Sequence, residues 1–163
     1  MIKLSQQEQS SPASQGGRAP YLSAPLGLCS ASLQRRRFAC KITVVKLLFE
    51  NLPVSLAPQR ETLARCLEAM NRVMPLREVY LFGSHARGEA RPDSDVDLCI
   101  VADGAERQLE AAQIFSRAIR PIPSKPSFTL IPITPNRLVE KKLVADHFFR
   151  TVLGEGVLLA SEN

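Results

Sequence analysis

The sequence contains no tryptophan, only two tyrosines and two histidines, and four cysteines with no CxxC pair among them. Cys29, Cys40, Cys66 and Cys99 fit no zinc-ligand spacing, so unpaired thiols in a reducing compartment are expected, which points to the cytoplasm. His85 and His147 stand too far apart for an evident metal cluster. No run reaches the roughly 18 apolar residues that a membrane-spanning helix needs, so a soluble chain without a membrane partner is expected. Acid is scarce as well: no Asp or Glu occurs between Gln9 and Lys46.

That scarcity locates the charge. Residues 1–50 carry seven Lys or Arg against two Glu, whereas residues 51–163 carry fourteen of each sign. The net charge of +5 therefore belongs to the leader, and a neutral remainder argues against nucleic acid as the ligand of the folded part. The leader is rich in Ser, Gln, Gly and Pro without periodicity, which predicts a disordered basic segment over 1–50. Arg18 and Arg35-Arg36-Arg37 in an acid-poor setting also fit an organelle transit peptide. No amphipathic helix stands near Met1, however, so a dispensable extension is the preferred reading. One domain with a proper core remains, residues 51–163. The apolar segment Ile42 to Phe49 has no assigned place.

Leu52 to Leu56, between Pro53 and Pro58, reads as a linker. From Gln59 to Met74, Leu63, Cys66, Leu67, Met70, Val73 and Met74 recur at three and four, one stripe of an amphipathic helix with Pro58 in its first turn and Pro75 at its end. Val79–Phe82 and Val96–Val101 read as strands. A helix is expected from Gly104 to Pro121 with Leu109, Ala112, Phe115, Ala118 and Ile119 inward. Phe128–Ile133 reads as a strand that Pro132 confines to a sheet edge or a bulge. Thr134-Pro135 then caps a helix to about Val144, a second runs from Asp146 to Leu153, and Val157–Ala160 is a last strand. The fold class is α/β (α+β): a small mixed β-sheet with helices packed on one face, that of Val96, Leu98 and Ile100, leaving the other for substrate.

The chemistry gathers in Val79–Val101, VYLFGSHARGEARPDSDVDLCIV. Strand alternation sets Asp95 and Asp97 on one face, about 7 Å apart at Cα, with Val96, Leu98 and Ile100 on the other. Two like charges so placed call for a cation between them. Mg²⁺ takes one or two protein carboxylates and completes its shell with water and phosphate oxygens. Gly83 lets the backbone approach a phosphate, and Ser84 offers an N–H and a hydroxyl. A helix starting after Ser84 would add its dipole, and Arg87, about one turn on, would reach a phosphate oxygen. Taken singly, these pieces have plainer meanings: Pro92-Asp93-Ser94-Asp95 is turn chemistry, and Gly83-Ser84 could simply end a strand and cap a helix. His85 reads as a solvent-facing loop residue, and Cys99 as a small residue on the sheet.

Gly83-Ser84, ten residues, then Asp95-Val96-Asp97 resembles the signature of the DNA polymerase β-like nucleotidyltransferases, and LFGSHARGEARPDSDVDLCIV is similar to the minimal, antitoxin-type members. The resemblance covers roughly Leu56 to the C-terminus. It implies that Gly83 and Ser84 hold the phosphates of ATP or another nucleoside triphosphate, with Arg87 assisting. It implies further that Asp95 and Asp97 carry catalysis on Mg²⁺, two ions being possible, and that AMP passes to a hydroxyl of a partner protein, a HEPN-type toxin first.

One part of that pattern is absent. The superfamily's third acid lies on a neighbouring strand, and the resemblance puts Thr129 there, between Phe128 and Leu130-Ile131. Three explanations stay open: two aspartates suffice; another acid, Asp103 or Asp146, serves; or the domain is a catalytically weakened nucleotide-binding or protein-interaction module. Asp103 is a poor substitute, since it lies some 20 Å along the strand from Asp97.

Overall fold

A strand buried along its length organises the molecule. In a computed structural model, which describes residues 45–162, β3 (Val96–Ala102) has Val96, Leu98, Cys99, Ile100 and Ala102 without solvent exposure. Around it stand β1 (Val45–Leu47), α1 (Arg60–Val73), β2 (Leu76–Phe82), α2 (Gly83–Ala86), α3 (Gln108–Ile119), β4 (Phe128–Ile133), α4 (Pro135–Leu143), α5 (His147–Glu155) and β5 (Val157–Glu162). The five strands form a mixed sheet in the order β1-β5-β2-β3-β4. β3 and β4 run parallel and the other neighbours antiparallel. The parallel pair needs a long crossover, which α3 supplies. β4 lies at the sheet's edge, the position Pro132 requires because it donates nothing to a ladder.

α1 forms because its apolar residues recur at helical spacing. Leu63, Cys66, Leu67 and Met70 are buried while Val73 is half exposed. Each such burial stabilises by roughly 1.5–3 kcal/mol, and Leu67→Ala would cost about 2–5 kcal/mol. α1 and α3 pack on the face of Val79, Leu81, Val96, Leu98 and Ile100, the expected helical layer. The second face is not left bare. Leu138 of α4 and Phe149 and Val152 of α5 cover Cys99, Val101 and Ile133, while Asp97 and Thr129 at the end of the sheet stay accessible.

Several local expectations shift. The supposed linker at Leu52–Leu56 is drawn into a 3-10 turn, Val54–Gln59, that buries Leu56 and holds Pro58 ahead of α1. α3 starts at Gln108 and turns Ala111, Phe115 and Ile119 inward, leaving Leu109 75% exposed, because the turns after Gly104 set its phase. α5 continues through Gly154 to Glu155. Val45–Leu47 pairs with β5 and Phe49 enters the core, so the folded part reaches back past residue 51. The expected leader lies almost wholly outside the described residues, as do Cys29 and Cys40. Cys66 and Cys99 are free and buried. Burial pushes the Cys66 thiol up and that of Cys99 to about 12, so both stay protonated and inert near neutral pH. Among the described residues no helix is long and apolar enough to cross a membrane.

Candidate active site

β2 ends at Phe82, and the chain turns through Gly83 at φ +73°. A Cβ at Gly83 would sit 2.2 Å from Asp97 Oδ2, so only glycine fits the corner, on both conformational and steric grounds. The ladders explain the contact. Phe82 lies opposite Asp97 on one side and Thr129 lies opposite Asp97 on the other, so the three form one row on one face of the sheet. Asp97 is half-buried and Asp95, just ahead of the strand, is exposed, while Val96 and Leu98 are wholly buried beneath α1 and α3. Exposure thus alternates from Asp95 to Leu98, although Asp95 itself stands outside the strand.

Neither carboxylate receives a hydrogen bond or ion pair from a described residue. Arg87 lies near enough to feel Asp97 and Glu155, but its Nε donates to Glu89 at 2.9 Å. Glu89 first, then its acidic neighbours, hold the Arg87 proton more tightly than usual. The helix expected after Ser84 is a single turn, α2, that begins at Gly83 itself. It contributes backbone N–H groups but little dipole. Ser84 is half-buried, and its backbone carbonyl accepts from Glu89 N at 2.9 Å.

The proposed substitutes for a third acid are engaged elsewhere. Asp103 accepts from Arg77 Nε at 2.9 Å and Nη2 at 2.6 Å, and Arg77 also donates to Glu162. Asp146 caps α5 through Phe149 N at 3.3 Å and takes Lys141 Nζ at 2.7 Å. Lys141, then that cap, holds the Asp146 carboxyl below the usual carboxylate range. Thr129, exposed beside Asp97, brings no charge. Among the described residues no group of three or more His, Cys, Asp or Glu side chains gathers as a metal site. Two carboxylates with no protein cation bonded to them, beside a corner too tight for a side chain, still suit Mg²⁺, which leaves most of its shell to water and phosphate.

His85 departs most from expectation. Instead of facing solvent it is 6% exposed, with Nδ1 3.1 Å from Ser55 Oγ and Nε2 3.3 Å from the Ser94 carbonyl. A carbonyl only accepts, so Nε2 carries the proton and the Ser55 hydroxyl donates to Nδ1. His85 thereby ties the loop before Asp95 to the turn before α1. That loop is closed further by Arg91 N donating to Ser94 Oγ at 2.8 Å and Ser94 N to the Arg91 carbonyl at 3.0 Å. The sequence carried no signal for this latch beyond the position of His85 two residues after Gly83, which turns it away from Asp97.

Comparison with known proteins follows the same stretch. The profile of the nucleotidyltransferase domain matches residues 61–153, which include Gly83, Ser84, Arg87, Asp95 and Asp97. A crystal structure of a candidate nucleotidyltransferase from Sulfolobus solfataricus aligns with a TM-score of 0.42 at 24% identity, covering 53% of this chain and 76% of its own. No curated protein matches the sequence.

Proposed function

This chain belongs to the nucleotidyltransferase domain family, and from that premise we propose that it transfers AMP from ATP, with Mg²⁺, to a hydroxyl of a partner protein. The observation that carries the reading is the pair Asp95 and Asp97, hydrogen-bonded or ion-paired to no described cation, beside a Gly83 corner with no room for a side chain. Asp95 and Asp97 would hold the metal, and bound Mg²⁺ would supply charge stabilisation to the phosphates in transfer. The ladder on both sides keeps Asp97 in place. Gly83 leaves space for a phosphate oxygen, and Ser84 donates an N–H and a hydroxyl to it. Arg87, on releasing Glu89, adds a guanidinium to the leaving phosphates. The partner is a HEPN-type toxin by the minimal-subfamily resemblance, the setting is cytoplasmic, and the basic leader ahead of the folded part is dispensable for the chemistry.

A second reading has its own observation. Thr129 lies beside Asp97, and the family resemblance gives its position to a third acid, which favours a nucleotide-binding or protein-interaction module with weakened turnover. Incubation with α-labelled ATP, Mg²⁺ and the partner separates the two. Label on the partner that Asp97→Asn abolishes supports transfer. Partner binding at unchanged affinity without label supports the module.

A further inference from the structure

α5 buries Phe149 and Val152 in the second layer, yet the residue before them, Phe148, is also aromatic and remains 39% exposed. Its ring meets Phe82 edge to face, with centroids 5.5 Å apart. Phe82 is the residue opposite Asp97 and the neighbour of Gly83. The exposed ring therefore stands against Phe82, at one end of the row Phe82, Asp97 and Thr129. It also lines a cavity of about 360 Å³ at the β4 edge, together with Ile131 and Pro132 of β4, Arg137 and Lys141 of α4, Ala105 ahead of α3 and Gln108 at its start. Ile131 is one pleat repeat from Thr129, about 7 Å, on the same face of the sheet. No residue of the carboxylate site lines the cavity itself; Ile131, two residues on from Thr129, and Phe148, against Phe82, are its links to that site. The Phe148 ring also meets Phe149 edge to face, with centroids 5.1 Å apart, and the part of it that these two contacts leave uncovered faces solvent.

We propose that Phe148 and Ile131 form the shelf on which the base of the bound nucleoside triphosphate stacks. This rests on the nucleotide reading of the Asp95 and Asp97 site and adds to it the means by which a nucleoside is preferred over bare polyphosphate. An aromatic face suits any base and an aliphatic side chain closes the other side, so the shelf selects for a planar ring rather than for one hydrogen-bonding edge. Arg137 makes no ion pair with a described residue and borders the same cavity. It is placed to add a cationic contact to the ring or the ribose.

The test compares two ligands on the full chain by titration calorimetry with Mg²⁺: ATP, and inorganic tripolyphosphate, which has the phosphates and no base. ATP should bind the wild type more tightly. Phe148→Ala and Phe148→Leu, the latter keeping most of the apolar bulk should the former misfold, should weaken ATP by about tenfold and leave tripolyphosphate unchanged. Phe148→Trp should retain the preference. Equal binding of both ligands by the wild type, or equal loss of both in Phe148→Leu, overturns the shelf while the phosphate site stands. So does loss of partner binding at unchanged ATP affinity, which would make Phe148 a docking residue. If neither ligand binds the wild type, the nucleotide reading itself fails and the shelf fails with it.

Discussion

At the C-terminal end of β3, Asp103 receives two hydrogen bonds from Arg77, which also serves Glu162. At the N-terminal end, Asp97 and Asp95 receive none from a described residue, and the nearest guanidinium, Arg87, is bonded to Glu89 instead. One strand carries acid at both ends, and only one end is neutralised from within. A carboxylate that serves the fold is given a cation. A pair left without one, at a corner that excludes even a methyl group, is set up for a cation and a ligand from outside. The difference also disposes of Asp103 as a replacement third acid, by its partner as well as by its distance along the strand.

The contrast is broken most severely at Gly83. Gly83→Ala places a methyl group against Asp97 Oδ2, where the Cβ position lies 2.2 Å away, and forces a left-handed residue that costs about 1–2 kcal/mol. Displacement of Asp97 by even 1 Å should lower transfer by about 10² or more, measured as initial rate of labelled AMP incorporation, while circular dichroism still reports a folded chain. Arg77→Met tests the opposite end. It should lower the melting temperature by a few degrees at low salt and by less at high salt, because the ion pairs are partly exposed, with the rate per folded molecule unchanged. A fall in rate equal to that of Gly83→Ala would erase the distinction between the two ends.

The smallest effect concerns Asp146. Its folded carboxyl titrates below the ordinary value of 3.8 because Lys141 and the α5 cap favour the charged form. Its contribution to stability is therefore complete above that value and is lost as pH falls through the lower, folded one. Thermal melts between neutral pH and the acid limit should show wild type losing stability faster than Asp146→Asn over the last part of that range. Parallel curves would remove Asp146 from the structural carboxylates.

Much of the architecture was legible because it rests on local rules. Helical spacing marks the buried stripe of α1, Thr134-Pro135 marks the start of α4, and Pro132 announces an edge strand; each depends only on neighbours in the chain. What escaped depends on contacts distant in sequence. His85 is buried because the turn carrying Ser55, 30 residues earlier, folds over it. The inward face of α3 is set by turns after Gly104 that composition does not phase. The layer of α4 and α5 over Cys99 and Val101 follows from their length and apolar faces once both lie against β3, a placement that the sequence leaves open. At the site, the spacing of Gly83, Ser84, Asp95 and Asp97 could be read directly. The collision awaiting any Cβ at Gly83, and the capture of Arg87, Asp103 and Asp146 by partners, could not.

The most direct test of the account is thermal melting of wild type and Asp97→Asn with ATP, with Mg²⁺, and with both. A ligand that binds only the folded state raises the melting temperature in proportion to the logarithm of its saturation. The account predicts a shift for wild type with ATP and Mg²⁺ together that exceeds the sum of the separate shifts, and its loss in Asp97→Asn. An ATP shift that is indifferent to Mg²⁺, or one preserved in Asp97→Asn, would contradict it.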